Sequence, residues 1–238
     1  VDTVLAYRES QKILTTYLSG YARRRDYDGL LRTRLMFPGT ISWRCSSSGP
    51  NLQNVPRGSF RNLFTAPEGY VFLEADLAQA ELRIAAALSG EPVLLNVFKN
   101  RGDPHGLLAT RIFGPGFTKE ERVRAKTTNF GLLYGAGAGT LWEQFAKDGL
   151  FLPMKEVRGY LKTFWSLYGT LDTYVRDQMS RAEQGETLVS PVGSYGWKLS
   201  DLELKHPDDR EEAKRATFNS TIQSVPPRLT LLLAQYLQ

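Results

Sequence analysis

The chain has 238 residues, 42% hydrophobic and 23% charged, enough for one large domain or two small ones around a buried core. Lys and Arg total 30 against 25 Asp and Glu, a net charge of +5 that suits a polyanionic partner without requiring one. Cys45 is the only cysteine, which excludes an internal disulfide and fits a reducing compartment. No apolar run approaches the ~18 residues of a membrane span, and the first residues lack the basic-then-apolar order of a secretory leader.

Residues 1–25 read as an amphipathic helix, with Val4, Leu5, Ile13, Leu14, Tyr17, Leu18 and Tyr21 close to a 3.6-residue period and ARRR (22–25) closing it with positive charge. Gly, Pro, Ser and Asn dominate 38–62, which predicts a loop. A turn at Pro67–Gly69 and a short strand, Tyr70 to Ala75, then deliver Asp76 at the strand end. AQAELRIAAALS (78–89) predicts a helix stopped by Gly90, with further helices at about 92–100 and 104–113. Thr118 reads as an N-cap, with Glu120 and Glu121 in the first turn of a helix that ends in the glycines of YGAGAG (134–139).

Helices follow at about 140–148, 154–166 and 170–184, then a hairpin over 186–200 turning near Pro191–Ser194. A charged helix begins after Pro207 and runs to about 219. Pro226–Pro227 break the pattern, and an apolar helix fills 228–237. The pattern is mainly helical with few strands, an α/β chain with a small antiparallel sheet.

Several positions can carry chemistry. Asp76, between an apolar strand and a helix, either binds a hard cation such as Mg²⁺ or caps the 78–89 helix. Glu81 suits the first turn of that helix by charge, and Arg83 can meet a carboxylate or a phosphate path. Arg122, Lys126, Phe130 and Tyr134 fall four apart on one helical stripe about 18 Å long. Arg and Lys one turn apart can clamp a polyphosphate, and the aromatics can stack a base. The competing reading is a basic surface face that runs into an aromatic core face. Arg215, Asn219 and Gln223 form a second four-residue ladder, either a polar solvated face or a set of donors for a nucleic-acid groove.

Taken together, these stretches resemble the polymerase region of family A DNA polymerases, the bacterial DNA polymerase I and T-odd phage type. DLAQAELR (76–83) resembles the first catalytic motif, DYSQIELR, and RVRAKTTNFGLLYG (122–135) the fingers motif R-x-x-x-K-x-x-x-F-G-x-x-Y-G. SSSGPNLQNVPR (46–57), GDPHGLLAT (102–110), RATFNSTIQS (215–224) and YRESQKILTTY (7–17) resemble further family segments, all in family order.

The resemblance implies a right-hand polymerase fold, fingers plus partial palm. Residues 1–35 would be the end of the thumb leading into the palm, 36–90 palm with the first catalytic motif, 91–200 fingers, and 201–238 palm helices. Asp76 would bind metal with the backbone carbonyl of Leu77, in a site for two Mg²⁺ ions. Arg122, Lys126 and His105 would contact the phosphates of the incoming dNTP. Phe130 and Tyr134 would wall the sugar and base pair, Gln79 would join this nucleotide site, and Glu81 would exclude the 2′-hydroxyl. Arg44, Gln53, Asn54, Arg215, Asn219 and Gln223 would contact primer–template DNA.

The chain departs from the pattern in several places. Leu77 and Ala78 replace the usual Tyr and Ser, Trp43 stands where Gly is usual, and SVPPR (224–228) replaces a more helix-friendly run. The family's His-Asp-Glu motif is missing, and no Asp or Glu follows Glu212. The expectation is therefore a fingers and partial-palm piece of a split or processed DNA polymerase, with a virus as its expected source. A second chain would supply the missing aspartate and any exonuclease. The expected setting is the cytoplasm, that of the host cell for a viral enzyme, away from any membrane. A non-catalytic DNA-binding protein on the same scaffold is the alternative. A single-subunit RNA polymerase shares the Asp and Arg/Lys/Tyr logic, and Glu81 at the sugar gate favours DNA.

Overall fold

The structure is a computed structural model that describes residues 2–193, 195–203 and 209–236. Cα packing divides it into two units, Val1–Asp76 and Leu77–Gln238.

In the first unit, α1 (Asp2–Lys12) continues through a π-helical stretch, Ile13–Ser19, into the short α2 (Gly20–Ala22). The predicted amphipathic helix is present, but its stripe is only partly used. Tyr17 and Tyr21 are buried, whereas Val4, Leu5 and Leu14 are exposed. The two tyrosines pack edge-on with Phe60, and Tyr21 also with Phe64. The Gly/Pro/Ser-rich region holds more order than its composition predicts. Strand β1 (Arg34–Met36) pairs antiparallel with β2 (Ser46–Ser48), setting Leu35 opposite Ser47, and a 3₁₀ helix covers Gly58–Leu63.

The predicted strand from Tyr70 to Ala75 does not form. The turn before it does, with the Tyr70 N–H donating to Pro67 O at 3.0 Å. Residues 70–76 then run without regular structure, and Tyr70, Val71, Phe72 and Leu73 are 71–89% exposed. A strand needs a neighbour for its backbone groups, and among the described residues none pairs with this segment.

The second unit is helical. α3 (Ala80–Ser89), α4 (Pro92–Lys99), α5 (Pro104–Phe113), α6 (Lys119–Leu133), α7 (Ala138–Lys147), α8 (Met154–Leu167) and α9 (Gly169–Glu183) follow the predicted order and bounds closely. The ends behave as their residues dictate. Thr118 and Glu121 close a capping box on α6, with Glu121 N to Thr118 Oγ1 at 3.2 Å and Thr118 N to Glu121 Oε2 at 2.7 Å. Gly90 takes a left-handed conformation after α3.

The hairpin is β3 (Leu188–Val189) with β4 (Gly196–Trp197); its expected turn includes Ser194, outside the described residues. A short helix that patterning missed, α10 (Leu199–Glu203), comes next. Pro207, placed at the start of the charged helix, also lies outside the described residues. The described helix α11 (Arg210–Gln223) is capped by Asp209, whose Oδ1 accepts the Glu212 N–H at 2.8 Å.

α11 carries the whole Arg215–Asn219–Gln223 ladder. The last helix, α12 (Val225–Tyr236), starts before the proline pair rather than after it, because a first-turn proline gives up an N–H that has no helical acceptor. Its predicted end at residue 237 is outside the described residues. The core joins Leu82 and Ala85 of α3, Leu94 of α4, Leu108 of α5, Leu132 and Leu133 of α6, Phe145, Phe164, Tyr168 and Phe218, nearly all fully buried. Each such Leu or Phe side chain contributes about 1.5–3 kcal/mol by burial. No helix among the described residues is long and apolar enough to cross a membrane.

Candidate nucleotide and nucleic-acid site

The Arg122–Tyr134 stripe runs beside the buried face of α6 rather than within it. Ala125, Thr128, Asn129, Leu132 and Leu133 are buried. Arg122, Phe130 and Tyr134 are half-buried and Lys126 is exposed. Both readings of this stripe, a clamp for a polyphosphate and base and a basic surface face that runs into an aromatic core face, fit this exposure.

α5 packs against α6 and brings His105 to the stripe. Asp103 organises this corner. Its Oδ1 accepts the His105 N–H at 3.0 Å, capping α5, and its Oδ2 accepts from Arg122 Nε at 2.7 Å. Burial works to raise the Asp103 carboxyl, but the Arg122 hydrogen bond and the backbone donors of Gly106 and His105 outweigh it and hold it below its ordinary range. The same pairing raises Arg122.

His105 is 3% exposed and stacks at a tilt against Phe130, ring centroids 5.5 Å apart. Burial lowers its imidazole to about 4, with Arg122 and Lys126 adding to the effect and Asp103 opposing it. It is therefore neutral at physiological pH. Lys126 is exposed and forms no ion pair among the described residues.

At the other end of α6 the two ladders meet. Asn219 Nδ2 donates to the Tyr134 carbonyl at 3.1 Å. Gly135 adopts φ +74°, and a Cβ there would lie 2.9 Å from Met179 Cε and 3.3 Å from Arg215 Cγ. Arg215 also lies 3.8 Å from Asp209 Oδ2, and Gln223 is half-buried two turns on. His105, Arg122, Lys126, Phe130, Tyr134, Arg215 and Asn219 thus lie on or at the ends of α5, α6 and α11, with His105 against Phe130 and Asn219 against Tyr134.

The motif around α3 is only partly as expected. Gln79 holds a left-handed φ of +55° just before α3 and makes no side-chain cap. Asp76 is exposed, three residues before that position, so it does not cap the helix either. Glu81 sits in the first turn, as its charge suits. Arg83 is exposed and forms no ion pair with a carboxylate among the described residues: it donates to the Ala78 carbonyl at 3.0 Å and lies 4.4 Å over the Phe98 ring. The Leu77 carbonyl accepts the Ala80 N–H at 3.2 Å and retains its second lone pair.

In the first unit, Gln53 Nε2 donates to Cys45 O at 3.0 Å, which sets Gln53 beside the chain neighbour of Arg44. The loop between them is held by Ser47 Oγ, accepting Leu52 N–H at 2.9 Å, by Thr33 Oγ1, donating to Pro50 O at 2.6 Å, and by Tyr21 OH, donating to Asn51 O at 2.8 Å. Arg44, Gln53 and Asn54 are exposed on it.

A Mg²⁺ ion takes about six oxygen ligands, several of them water. Among the described residues no group of three or more His, Cys, Asp or Glu converges to hold a metal ion. Asp76 has no hydrogen bond or ion pair among them and offers one carboxylate. These residues do not by themselves complete a two-metal centre.

Sequence reasoning gave Asp103 no role beyond its place in the 102–110 segment and passed over Asn129. Asp103 was legible, since Asp before Pro-His at a helix start is an N-cap signal. Asn129 was legible only as a polar residue on the face that Ala125 and Leu132 bury.

The DNA polymerase family A model matches residues 1–226. DNA polymerase I of Lactococcus lactis subsp. lactis is 30% identical over 94% of this chain and 26% of its own length. The thermostable DNA polymerase I of Thermus thermophilus is 32% identical over 98% and 28%. The POL domain of Pol1 from M. smegmatis, solved in complex with DNA primer-template and dNTP, superposes with a TM-score of 0.81 at 28% identity, over 95% of this chain and 40% of that one. The chain therefore spans roughly a quarter of the curated relatives it matches. With the family's motifs in order and its fold reproduced, the chain belongs to DNA polymerase family A.

Proposed function

We propose that the chain carries the fingers and part of the palm of a polymerase that extends a DNA primer from dNTPs. The observation that carries this reading is the set of contacts joining Arg122 to Asp103, His105 to Phe130 and Asn219 to Tyr134 across α5, α6 and α11 in a chain of this family. Arg122 and Lys126 neutralise and orient the triphosphate tail, and His105 donates to it. Phe130 and Tyr134 bound the sugar and base, and Glu81 and Gln79 flank the sugar. Holding one nucleotide from phosphate to base is the positioning that phosphoryl transfer needs. Arg44, Gln53, Asn54, Arg215, Asn219 and Gln223 contact primer–template DNA, as the relative solved with primer-template and dNTP suggests by analogy. The domain roles follow the family order, with 91–200 as fingers.

Asp76 and the Leu77 carbonyl are this chain's contribution to Mg²⁺ binding, and the second carboxylate comes from outside these 238 residues. The exposed run Tyr70–Leu73 supports that reading, because an unpaired apolar segment is what a palm sheet awaiting its other strands leaves bare. The source is a second chain or a longer form of this one, and a viral origin would fit a split enzyme.

Primer extension is the test. The 238 residues alone show little or no extension, and adding a polypeptide with the His-Asp-Glu segment restores Mg²⁺-dependent dNTP incorporation that Asp76→Ala abolishes. Full activity from the 238 residues alone overturns the split reading. Primer–template binding without incorporation under every combination returns the protein to a non-catalytic DNA-binding role.

A further inference from the structure

Asn129 lies wholly buried in the middle of α6, where its neighbours on the same face are Ala125 and Leu132. Its Nδ2 stands 3.3 Å from the Pro104 carbonyl oxygen and 3.0 Å from His105 Nδ1. Its Oδ1 is buried and has no partner. An amide nitrogen carries two hydrogens, which these two neighbours can use in full.

The orientation of this amide follows from the carbonyl. Pro104 O can only accept, so the NH₂ group must face it. The flipped amide would set Oδ1 against that oxygen and give up the donation to it. Leaving buried donors unmade costs about 1–3 kcal/mol. With the amide fixed, His105 Nδ1 faces an N–H and must be a bare lone pair. A neutral imidazole has one proton, which therefore sits on Nε2.

We infer that Asn129 is a positioning residue that holds His105 as the Nε2–H tautomer, so that His105 presents a neutral N–H donor to a nucleotide triphosphate. This rests on the reading of His105 as a phosphate contact. The surroundings agree. A proton added at Nδ1 would oppose the Asn129 amide. Arg122 and Lys126 resist a further positive charge, and only Asp103 favours one. The Phe130 ring and the closed packing of α5 on α6 hold the imidazole plane.

The test reads the proton directly. Long-range ¹H–¹⁵N spectra of the labelled 238-residue chain at neutral pH give the protonation of each ring nitrogen, with His206→Gln identifying which signals belong to His105. The expected result is a protonated Nε2 and a bare Nδ1. Asn129→Asp, with its fold checked by circular dichroism, replaces the donor with an acceptor and should put a proton on Nδ1. A wild-type His105 that is Nδ1–H or cationic at pH 7 overturns the inference even if the variant fails to fold. So does a folded Asn129→Asp protein whose Nδ1 stays bare. Titration with dTTP in EDTA separates the two layers. A shifted Nε2 signal supports the whole, whereas an unmoved one with the Nε2–H tautomer intact sinks the phosphate reading alone.

Discussion

Arg122 Nε donates to Asp103 Oδ2 at 2.7 Å, tying the first turn of α6 to the cap of α5. In the proposed function the same guanidinium serves a triphosphate, so the carboxylate and the ligand compete for it. Both side chains are about 40% exposed, and such a pair contributes about 1 kcal/mol or less to stability. Asp103→Asn keeps the capping oxygen and removes the charge. It should cost about 1 kcal/mol or less in urea denaturation and tighten dTTP binding about fivefold. Weaker binding in a calorimetric titration would mean that Asp103 holds Arg122 in place for the ligand.

Glu91 is 1% exposed and caps two helices. Its Oε1 accepts Val93 N–H at 3.1 Å at the start of α4, and its Oε2 accepts Thr170 and Leu171 N–H at 2.9 and 3.1 Å at the start of α9. Glu91→Ala strands three donors in a buried place and should destabilise the protein by about 3 kcal/mol. Glu91→Gln should fall between it and the parent. Equal midpoints for all three proteins in a denaturant series would refute the double-cap assignment.

His105 gives stability a pH dependence with a definite sign. Its folded pKa, about 4, lies below the ordinary value of 6.5, so the unfolded chain binds the proton more readily. Its contribution is complete above about 6.5 and is lost as pH falls toward 4. At ~1.4 kcal/mol per unit the loss would reach about 3 kcal/mol. Unfolding free energies of the parent and His105→Gln between pH 7 and 4 check this. The variant's curve should be flatter by about that amount, and parallel curves would contradict it.

Gly135 and Gly90 both have positive φ, +74° and +69°, yet their surroundings differ. Alanine at Gly90 meets nothing within 4 Å, so it carries only the backbone term, about 1 kcal/mol. Alanine at Gly135 also pushes on Met179 and Arg215, where α6 meets α11. It should cost about 2–3 kcal/mol and, in the reconstituted polymerase, reduce primer extension more than Gly90→Ala does. Equal melting shifts for the two variants would show that the α6–α11 contact is loose.

Most of the helical unit was legible in the sequence, and the reason is local. Pro104, Thr118 with Glu121, Gly90 and the 3.6-residue periods act through neighbours within a turn, so the ends of α3 through α9 follow from residue type alone. The spacing of Arg122, Lys126, Phe130 and Tyr134 was local in the same sense, and the order of the motifs identified the family. What lay beyond the sequence is whatever depends on a partner distant along the chain. Tyr70–Ala75 has the composition of a strand, but a strand exists only where a neighbour accepts its hydrogen bonds, and none does among the described residues. The β1–β2 pairing hidden in the Gly/Pro/Ser-rich region depends likewise on residues far apart. Spacing placed Arg122 on a stripe, but only the packing of α5 on α6 set Asp103 against it and Asn129 against His105. Helix ends answer to a few neighbouring residues, whereas a site's charge pairs and proton positions are decided when the helices close on one another.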